Sequence, residues 1–340
     1  MVPLPRTYKA AVFDRPNESP KIVDIPMKRP NKGEILVQVL ACGVCYSDLM
    51  VKTGVLGNIF PRIPGHEFIG TVVEVGVGSE KWEKGDRVGG MWHGGHDGVC
   101  RQCQRGQFQM CDVAITNGVN KDGGFSQYAL LRSEAAVRVP VDVDPGEYAP
   151  ILCAGVTVFN SMRRLNITAG ELVAVQGLGG LGHLAVQYAT KLGFKVIVIS
   201  SGGGKRDFSL ELGAYDYIDA SNEDPAAKLL QLGGAAMIVS TAPNPESISP
   251  LIGGLQANGH LLALAPVGNI EIDTLTLVSK GASVSSYLAG HALDAEEAIA
   301  FAKLHGIRCM VEKFNLADVE EAWQHTFTGN VRFRSVLVMN

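Results

Sequence analysis

The chain has 340 residues and a formal net charge of −4, with 46% hydrophobic and 19% charged residues. That balance supplies core for two domains and excludes the basic footprint expected of a nucleic-acid binder. Its 40 glycines fall in short motifs, not in a repeat, which excludes collagen-like and disordered classes. The N-terminal "MVPLPRTYKAAVF" lacks a charged-then-apolar leader pattern, and no apolar run is long enough to span a bilayer. Seven cysteines without such a leader read as reduced thiols, so a cytoplasmic protein without a membrane partner is expected. Clustered thiols there read as metal ligands before disulfides.

Taken in chain order, the first 150 or so residues predict strands and loops. "YKAAVF", "KIVDI", "EILVQVL", "TVVEVG" and "DRVGGMW" are short β-rich runs broken by Gly, Pro and Asn. From about residue 170 the pattern changes. "ELVAVQG" is the near-continuous apolar run of a buried parallel strand. Leu181, Leu184, Ala185, Tyr188 and Leu192 then follow at helical spacing, and "KVIVIS" reads as a second strand. The alternation recurs as "AAMIVST", a helical "SISPLIGGLQ" and "HLLALAP". This predicts a doubly wound α/β domain of the Rossmann type. Near 290 the chain leaves it: "DAEEAIAFAKLHG" offers a capping box of Asp294 with Glu297 and a stop at Gly306. The terminal "RSVLVM" is again a strand, and a tail that rejoins the first domain would make that domain discontinuous.

Gly177, Gly179, Gly180 and Gly182, with Leu181 between the last two, form a G-x-G-x-x-G run between a strand and a helix. That is the context in which glycines bring backbone N–H groups and a helix N-terminus against a pyrophosphate. At the end of the second strand, where a carboxylate would bind the ribose 2′-hydroxyl, the chain has Ser200, then Ser201 and, four residues later, Lys205 and Arg206. Without the carboxylate, and with two cations near, a 2′-phosphate is accommodated. NADP(H) is favoured, with NAD(H) as the alternative.

Six of the seven cysteines fall in two groups. Cys42 and Cys45 lie in "ACGVCYSD", with His66 and Glu67 in "PGHEFIG" and Cys153 in "LCAGVTVF" further on. Cys100, Cys103 and Cys111 lie in "DGVCRQCQRGQFQMC". A C-x2-C pair alone fits a zinc knuckle or a redox pair. Three protein ligands with an open fourth position are the pattern of a catalytic zinc, four that of a structural one.

With these pieces in order, from about residue 7 to the C-terminus, the chain resembles the zinc-dependent medium-chain alcohol dehydrogenases. The carriers are "GVCYSDL", "GHEFIGTVVEVGVG", "KGDRVG", the three-cysteine lobe, "DGGFSQY", "LCAGVTVFN" and "GLGGLGHLAVQYA". The resemblance is nearest to the cytosolic bacterial and fungal branch, and "ISSGGGKR" is similar to the NADP-using cinnamyl alcohol dehydrogenases. It implies a β-rich GroES-like catalytic domain (residues 1–153 and 290–340) plus a dinucleotide-binding Rossmann domain (154–289). It implies catalytic zinc ligands Cys45, His66 and Cys153, Glu67 as a transient ligand, Asp48 orienting His66, and Cys42 as a packing neighbour. A structural zinc would be held by Cys100, Cys103 and Cys111. Asp97 stands where the family has its first cysteine, and His93 and His96 are alternatives for that fourth place. Two zinc ions per chain are therefore expected.

By the same resemblance Ser47 takes the alcohol proton, Thr157 sits near the nicotinamide and Arg332 near the cofactor phosphates. Trp92 and Leu56 stand at positions that often line the substrate pocket. The family's relay histidine is here Met50, and Tyr46 stands where His or Arg is common. The implied activity is reversible hydride transfer between a small-molecule alcohol and its aldehyde or ketone. A homo-oligomer is expected, a tetramer or else a dimer. A zinc-free quinone or enone reductase of the same fold and a non-catalytic nucleotide-binding protein are the competing readings. The Cys45, His66 and Cys153 set argues against the first, while fold alone does not exclude the second.

Overall fold

The computed structural model describes residues 3–57, 59–329 and 331–339. Of the stretches read above, Met1 and Val2 of the N-terminal segment lie outside the described residues. The chain divides into two compact units. One comprises Met1–Val156, Ala289–Lys303 and Arg308–Asn340; the other comprises Thr157–Leu288 and Leu304–Ile307.

The first unit is built on a seven-stranded mixed sheet. Its central strand, Glu34–Gly43, is antiparallel to Phe68–Val75 on one side and to Tyr128–Arg132 and Arg334–Val338 on the other. Flanked on both edges, "EILVQVLACG" is buried almost throughout, which explains its nearly unbroken apolar character. Register shifts between Leu36 and Val37 and between Val39 and Ala41 interrupt its pairing with Phe68–Val75. Such bulges bend a strand and increase its twist. Cys42 pairs with Phe68 and with Leu337. The end of the central strand, the start of Phe68–Val75 and the start of Arg334–Val338 thus share one end of the sheet. Phe13, Val37, Phe68, Phe125 and Leu131 fill the core behind it.

The second unit holds a six-stranded, all-parallel sheet. Numbered by chain order within this unit, its strands run 3-2-1-4-5-6, the doubly wound order that places a dinucleotide at the switch point between strands 1 and 4. The first strand, Leu172–Gln176, is buried at every residue, and the second is Lys195–Ser200. The helix Gly182–Lys191 buries Leu184, Ala185 and Tyr188, three of the residues whose spacing predicts it.

Two sequence expectations are corrected. "SISPLIGGLQ" does not form an α-helix: Ser249–Gly254 is a 3-10 segment and the next strand already begins at Leu255. Pro250 and the paired Gly253 and Gly254 disfavour a longer α-helix, so Leu251 and Ile252 reach the core from short turns. The helix expected to start at Asp294 begins at Ala292 instead. Asp294 lies inside the first turn, where its carboxylate accepts the N–H of His291 at 3.0 Å. It is the reaching-back acid of an N-terminal turn, not the cap itself. The stop at Gly306 is observed, with φ +66°.

Candidate active site and metal centres

Cys45 ends the turn after the central strand and is the N-cap residue of the helix Tyr46–Thr53. Asp48, fully buried in that helix, accepts the Cys45 N–H at 2.9 Å through Oδ2 and the Gly65 N–H at 3.2 Å through Oδ1. One carboxylate therefore ties the segment carrying Cys45 to the segment carrying His66. Its Oδ1 also lies 3.3 Å from His66 Nδ1, within ion-pair range but without hydrogen-bond alignment. Cys153 follows the 3-10 turn Ala149–Leu152 and is half-buried, whereas Cys45, His66 and Glu67 are buried.

These segments meet closely. Cys45 Sγ lies 3.8 Å from Cys153 Sγ, and Cys153 Sγ lies 3.4 Å from His66 Nε2. Donor atoms of Cys45, His66, Glu67 and Cys153 all fall within 4.8 Å of one another. Tetrahedral zinc with Zn–S bonds of about 2.3 Å and Zn–N bonds of about 2.0–2.1 Å requires S···S near ~3.8 Å and S···N near ~3.5 Å. The three residues fit such an ion. Cys42, by contrast, is buried in the hydrophobic core and is not part of this donor group.

The electrostatics follow from burial. The hydrogen bond between the Cys45 and Cys153 sulfurs lowers the Cys45 pKa well below the usual thiol range and raises that of Cys153. Burial works against a charged His66, but Asp48 and the Cys45 thiolate outweigh it and raise its pKa. Burial pushes the Glu67 carboxyl up to about 7, against the opposing pull of the Arg334 guanidinium. Arg334 donates through Nη2 to Glu67 Oε1, while Glu67 Oε2 has no hydrogen-bond partner among the described residues. Glu67 approaches so closely that a Cβ on Gly43 would lie 2.0 Å from its Oε1.

Arg334 is the functional side chain that the sequence reading missed. It lies 267 residues from Glu67 and shares "VRFRSVLV" with Arg332. Arg332 lies in the bend before the strand, is exposed and donates its backbone N–H to Glu312, whereas Arg334 is the first residue of the strand Arg334–Val338 and only 5% exposed. Of the other expected residues, Ser47 and Met50 are half-buried in the helix after Cys45, and Tyr46 is exposed, its ring 5.7 Å from Phe327. Trp92 packs edge-on against His66 at 4.9 Å, and Leu56 packs against the core. Thr157 lies in the first half of the helix Ala154–Arg163 that follows Cys153.

The second group comprises Asp97, Cys100, Cys103 and Cys111, with one donor atom from each within 4.8 Å of the others. Cys100 and Cys111 sulfurs are 3.9 Å apart. Asp97 Oδ1 accepts the N–H groups of Cys100 and Val99 at 3.0 and 2.8 Å, which holds its carboxyl down to about 2. Three thiols and one ionised carboxylate are a donor set that suits zinc. His93 and His96 do not join it: His93 Nε2 faces His96 Nδ1 at 3.1 Å, and burial pushes the His93 pKa down to about 3.

In the second unit, Gly177 has φ +89°, and a Cβ on Gly182 would lie 1.8 Å from the Gly177 carbonyl oxygen. Beside Gly179 a Cβ would meet nothing within 4 Å, the open approach a phosphate needs. Ser200 ends the second strand, with Lys205 Nζ 3.4 Å from its hydroxyl. Ser201 is exposed. The Tyr217 hydroxyl donates to the carbonyls of Ser200 and Gly202 at 3.1 and 2.6 Å, shaping the turn. Arg206 is engaged by Asp216 at 2.6 Å and by the Tyr217 carbonyl, whereas Lys205 hydrogen-bonds Ser200.

Residues 31–141 match the family description "Alcohol dehydrogenase GroES-like domain", and residues 180–305 match "Zinc-binding dehydrogenase". The alcohol dehydrogenase patD of Penicillium expansum is 53% identical over 335 residues, covering 98% of both chains. An alcohol dehydrogenase of Geobacillus stearothermophilus is 34% identical, covering 97% of this chain and 98% of its own. Among solved structures, a cinnamyl alcohol dehydrogenase of Sorghum bicolor superposes with a TM-score of 0.89 at 29% identity, covering 98% of this chain and 97% of that one. The chain belongs to the zinc-type medium-chain alcohol dehydrogenase family, with a GroES-like domain and a Rossmann-like domain, and it is an oxidoreductase of the alcohol dehydrogenase kind. Among the described residues no helix is long and apolar enough to cross a membrane.

Replacing Arg334 by Met is expected to leave Glu67 buried without its counter-charge. Losing one partner of a buried pair costs about 3–5 kcal/mol, and urea unfolding of Arg334→Met against the parent measures it. An unchanged midpoint would mean that Glu67 is held neutral.

Proposed function

We propose that the protein is a zinc-dependent alcohol dehydrogenase or carbonyl reductase that uses NADP(H). The observation that carries this is the convergence of Cys45, His66 and Cys153 at separations suited to one tetrahedral ion, with Cys153 half-buried. Bound there, zinc supplies Lewis acidity to an alcohol or carbonyl oxygen, and a fourth position not filled by protein is what such catalysis needs.

In this reading each neighbouring side chain has a defined task. Asp48 fixes the helix start and the His66 segment together and faces the imidazole nitrogen turned away from the thiols. Arg334 holds Glu67 in place and balances its charge. The Ser47 hydroxyl receives the alcohol proton. Met50 has no exchangeable proton, so the proton continues to water or to the cofactor ribose, not through a histidine. The lobe of Asp97, Cys100, Cys103 and Cys111 holds a second, structural zinc. Residues 1–153 with 290–340 form the catalytic domain, and 154–289 the nucleotide domain.

For the cofactor, the glycine run from Gly177 to Gly182 receives the pyrophosphate. Ser200 with Lys205 receives the 2′-phosphate, and Arg206 contributes only when it leaves Asp216. The alternative of a zinc-free enone reductase is disfavoured because such a reaction does not require two thiols and an imidazole to converge.

Cys45→Ser is expected to abolish alcohol turnover while leaving NADP(H) binding largely unchanged, as read by steady-state assay and by cofactor fluorescence titration. Turnover that survives zinc removal would sink the mechanism. Ser200→Asp is expected to move the NADP(H)-to-NAD(H) preference toward NAD(H) by about tenfold or more, the equivalent of ~1.4 kcal/mol. Specificity constants for both cofactors measure this, and an unchanged ratio would refute the role given to Ser200.

A further inference from the structure

A set of rings connects the two cysteine groups. Trp92 lies in the bend immediately before His93, the first residue of the short strand His93–Gly95. Trp92 packs edge-on against His66 with centroids 4.9 Å apart. His93, only 2% exposed, instead stacks on His96 at 5.1 Å and shares a hydrogen bond with it at 3.1 Å. His96 stacks in turn on Phe108 at 4.3 Å, with 26° between the planes. Phe108 lies in the lobe itself, between Cys103 and Cys111, and its ring also meets that of His291 at 5.4 Å, just ahead of the helix Ala292–His305.

His96 immediately precedes Asp97, so the lobe is anchored at both ends of one stack, by chain connection at His96 and by a ring at Phe108. The stack bears on a strand whose preceding residue contacts the imidazole of His66. Side chains at close-packed positions transmit displacement because the interior is dense and resists compression. A ring stack is also directional, since it fixes the separation and tilt of its members.

We propose that the three-cysteine lobe sets the orientation of His66 through the stack Phe108–His96–His93 and the adjoining Trp92, with Phe108 as a positioning residue. This rests on the reading that Cys45, His66 and Cys153 hold a metal ion. The lobe then does more than close a loop: its folded state fixes the imidazole ligand that Trp92 touches. Phe108 touches neither substrate nor cofactor in this scheme, and its influence is exerted wholly through the rings.

The test uses the full-length protein with Zn2+ retained in the Asp97 lobe and Co2+ placed only at the Cys45, His66 and Cys153 site, one Co2+ and one Zn2+ per chain by metal analysis, because the d–d absorption of bound Co2+ reports ligand geometry directly. Three variants are compared: Phe108→Leu, which keeps bulk and removes the ring, Phe108→Ala and Phe108→Tyr. Phe108 is only half-buried, and circular dichroism verifies that each variant is folded. The expected result is a shifted d–d spectrum and a roughly 10-fold lower kcat in Phe108→Leu and Phe108→Ala, with the KM for NADP(H) unchanged. Phe108→Tyr, which keeps the ring, is expected to restore both. Leu and Ala variants with the parent spectrum and parent kcat would overturn the proposal. A spectrum unchanged while kcat falls would overturn it equally, since the effect would then bypass the metal site. Failure of the parent protein to bind Co2+ with a tetrahedral thiolate spectrum would instead refute the underlying metal reading.

Discussion

The structure is organised around one electrostatic constraint: four electron-rich groups lie within 4.8 Å of one another, and three of them are buried. Two thiols, an imidazole and a carboxylate cannot all take their donor forms in such a place without positive charge. Burial alone would neutralise them, as the raised pKa of Glu67 shows. Arg334 supplies one charge from within the protein. On the proposed reading a divalent cation supplies the rest, and the separations of the sulfurs and the imidazole nitrogen are those such an ion imposes.

The fold meets this constraint by topology. Adjacent strands of the first unit's sheet bring residues distant in sequence to one end, because Cys42 pairs with both Phe68 and Leu337. Cys45, Glu67 and Arg334 are consequently neighbours although they span most of the chain. Asp48 then tightens the arrangement by accepting backbone N–H groups from two of the converging segments. The second unit applies another device, a glycine turn so tight that Gly182 has no room for a Cβ. On the proposed reading, ligand binding there depends on backbone groups and a helix start, which explains why so few side chains identify it.

Much of this was legible in the sequence because the governing signals are local. A strand buried on both faces reads as an apolar run, and glycines between a strand and a helix read as a phosphate turn. The run "SISPLIGGLQ" misled, since its apolar residues reach the core from 3-10 turns instead of from a helix face. Asp294 misled in a smaller way, because an acid inside the first turn and an acid at the cap leave similar sequence traces. Arg334 was not legible at all. Nothing local distinguishes it from Arg332; the partner that makes it functional, Glu67, is a long-range neighbour that only the sheet pairing supplies. The opposed rings of His93, His96 and Phe108 were hidden likewise, since His93 and His96 beside a cysteine lobe read as spare ligands until their orientation is known.

The measurement that tests the account most directly is the metal content of the purified protein, determined by plasma mass spectrometry together with that of Cys153→Ala. The two donor groups predict two zinc ions per chain in the parent and one in the variant, with the remaining ion in the Asp97 lobe. A parent chain that oxidises alcohols with no bound metal, or a variant that retains both ions, would contradict it.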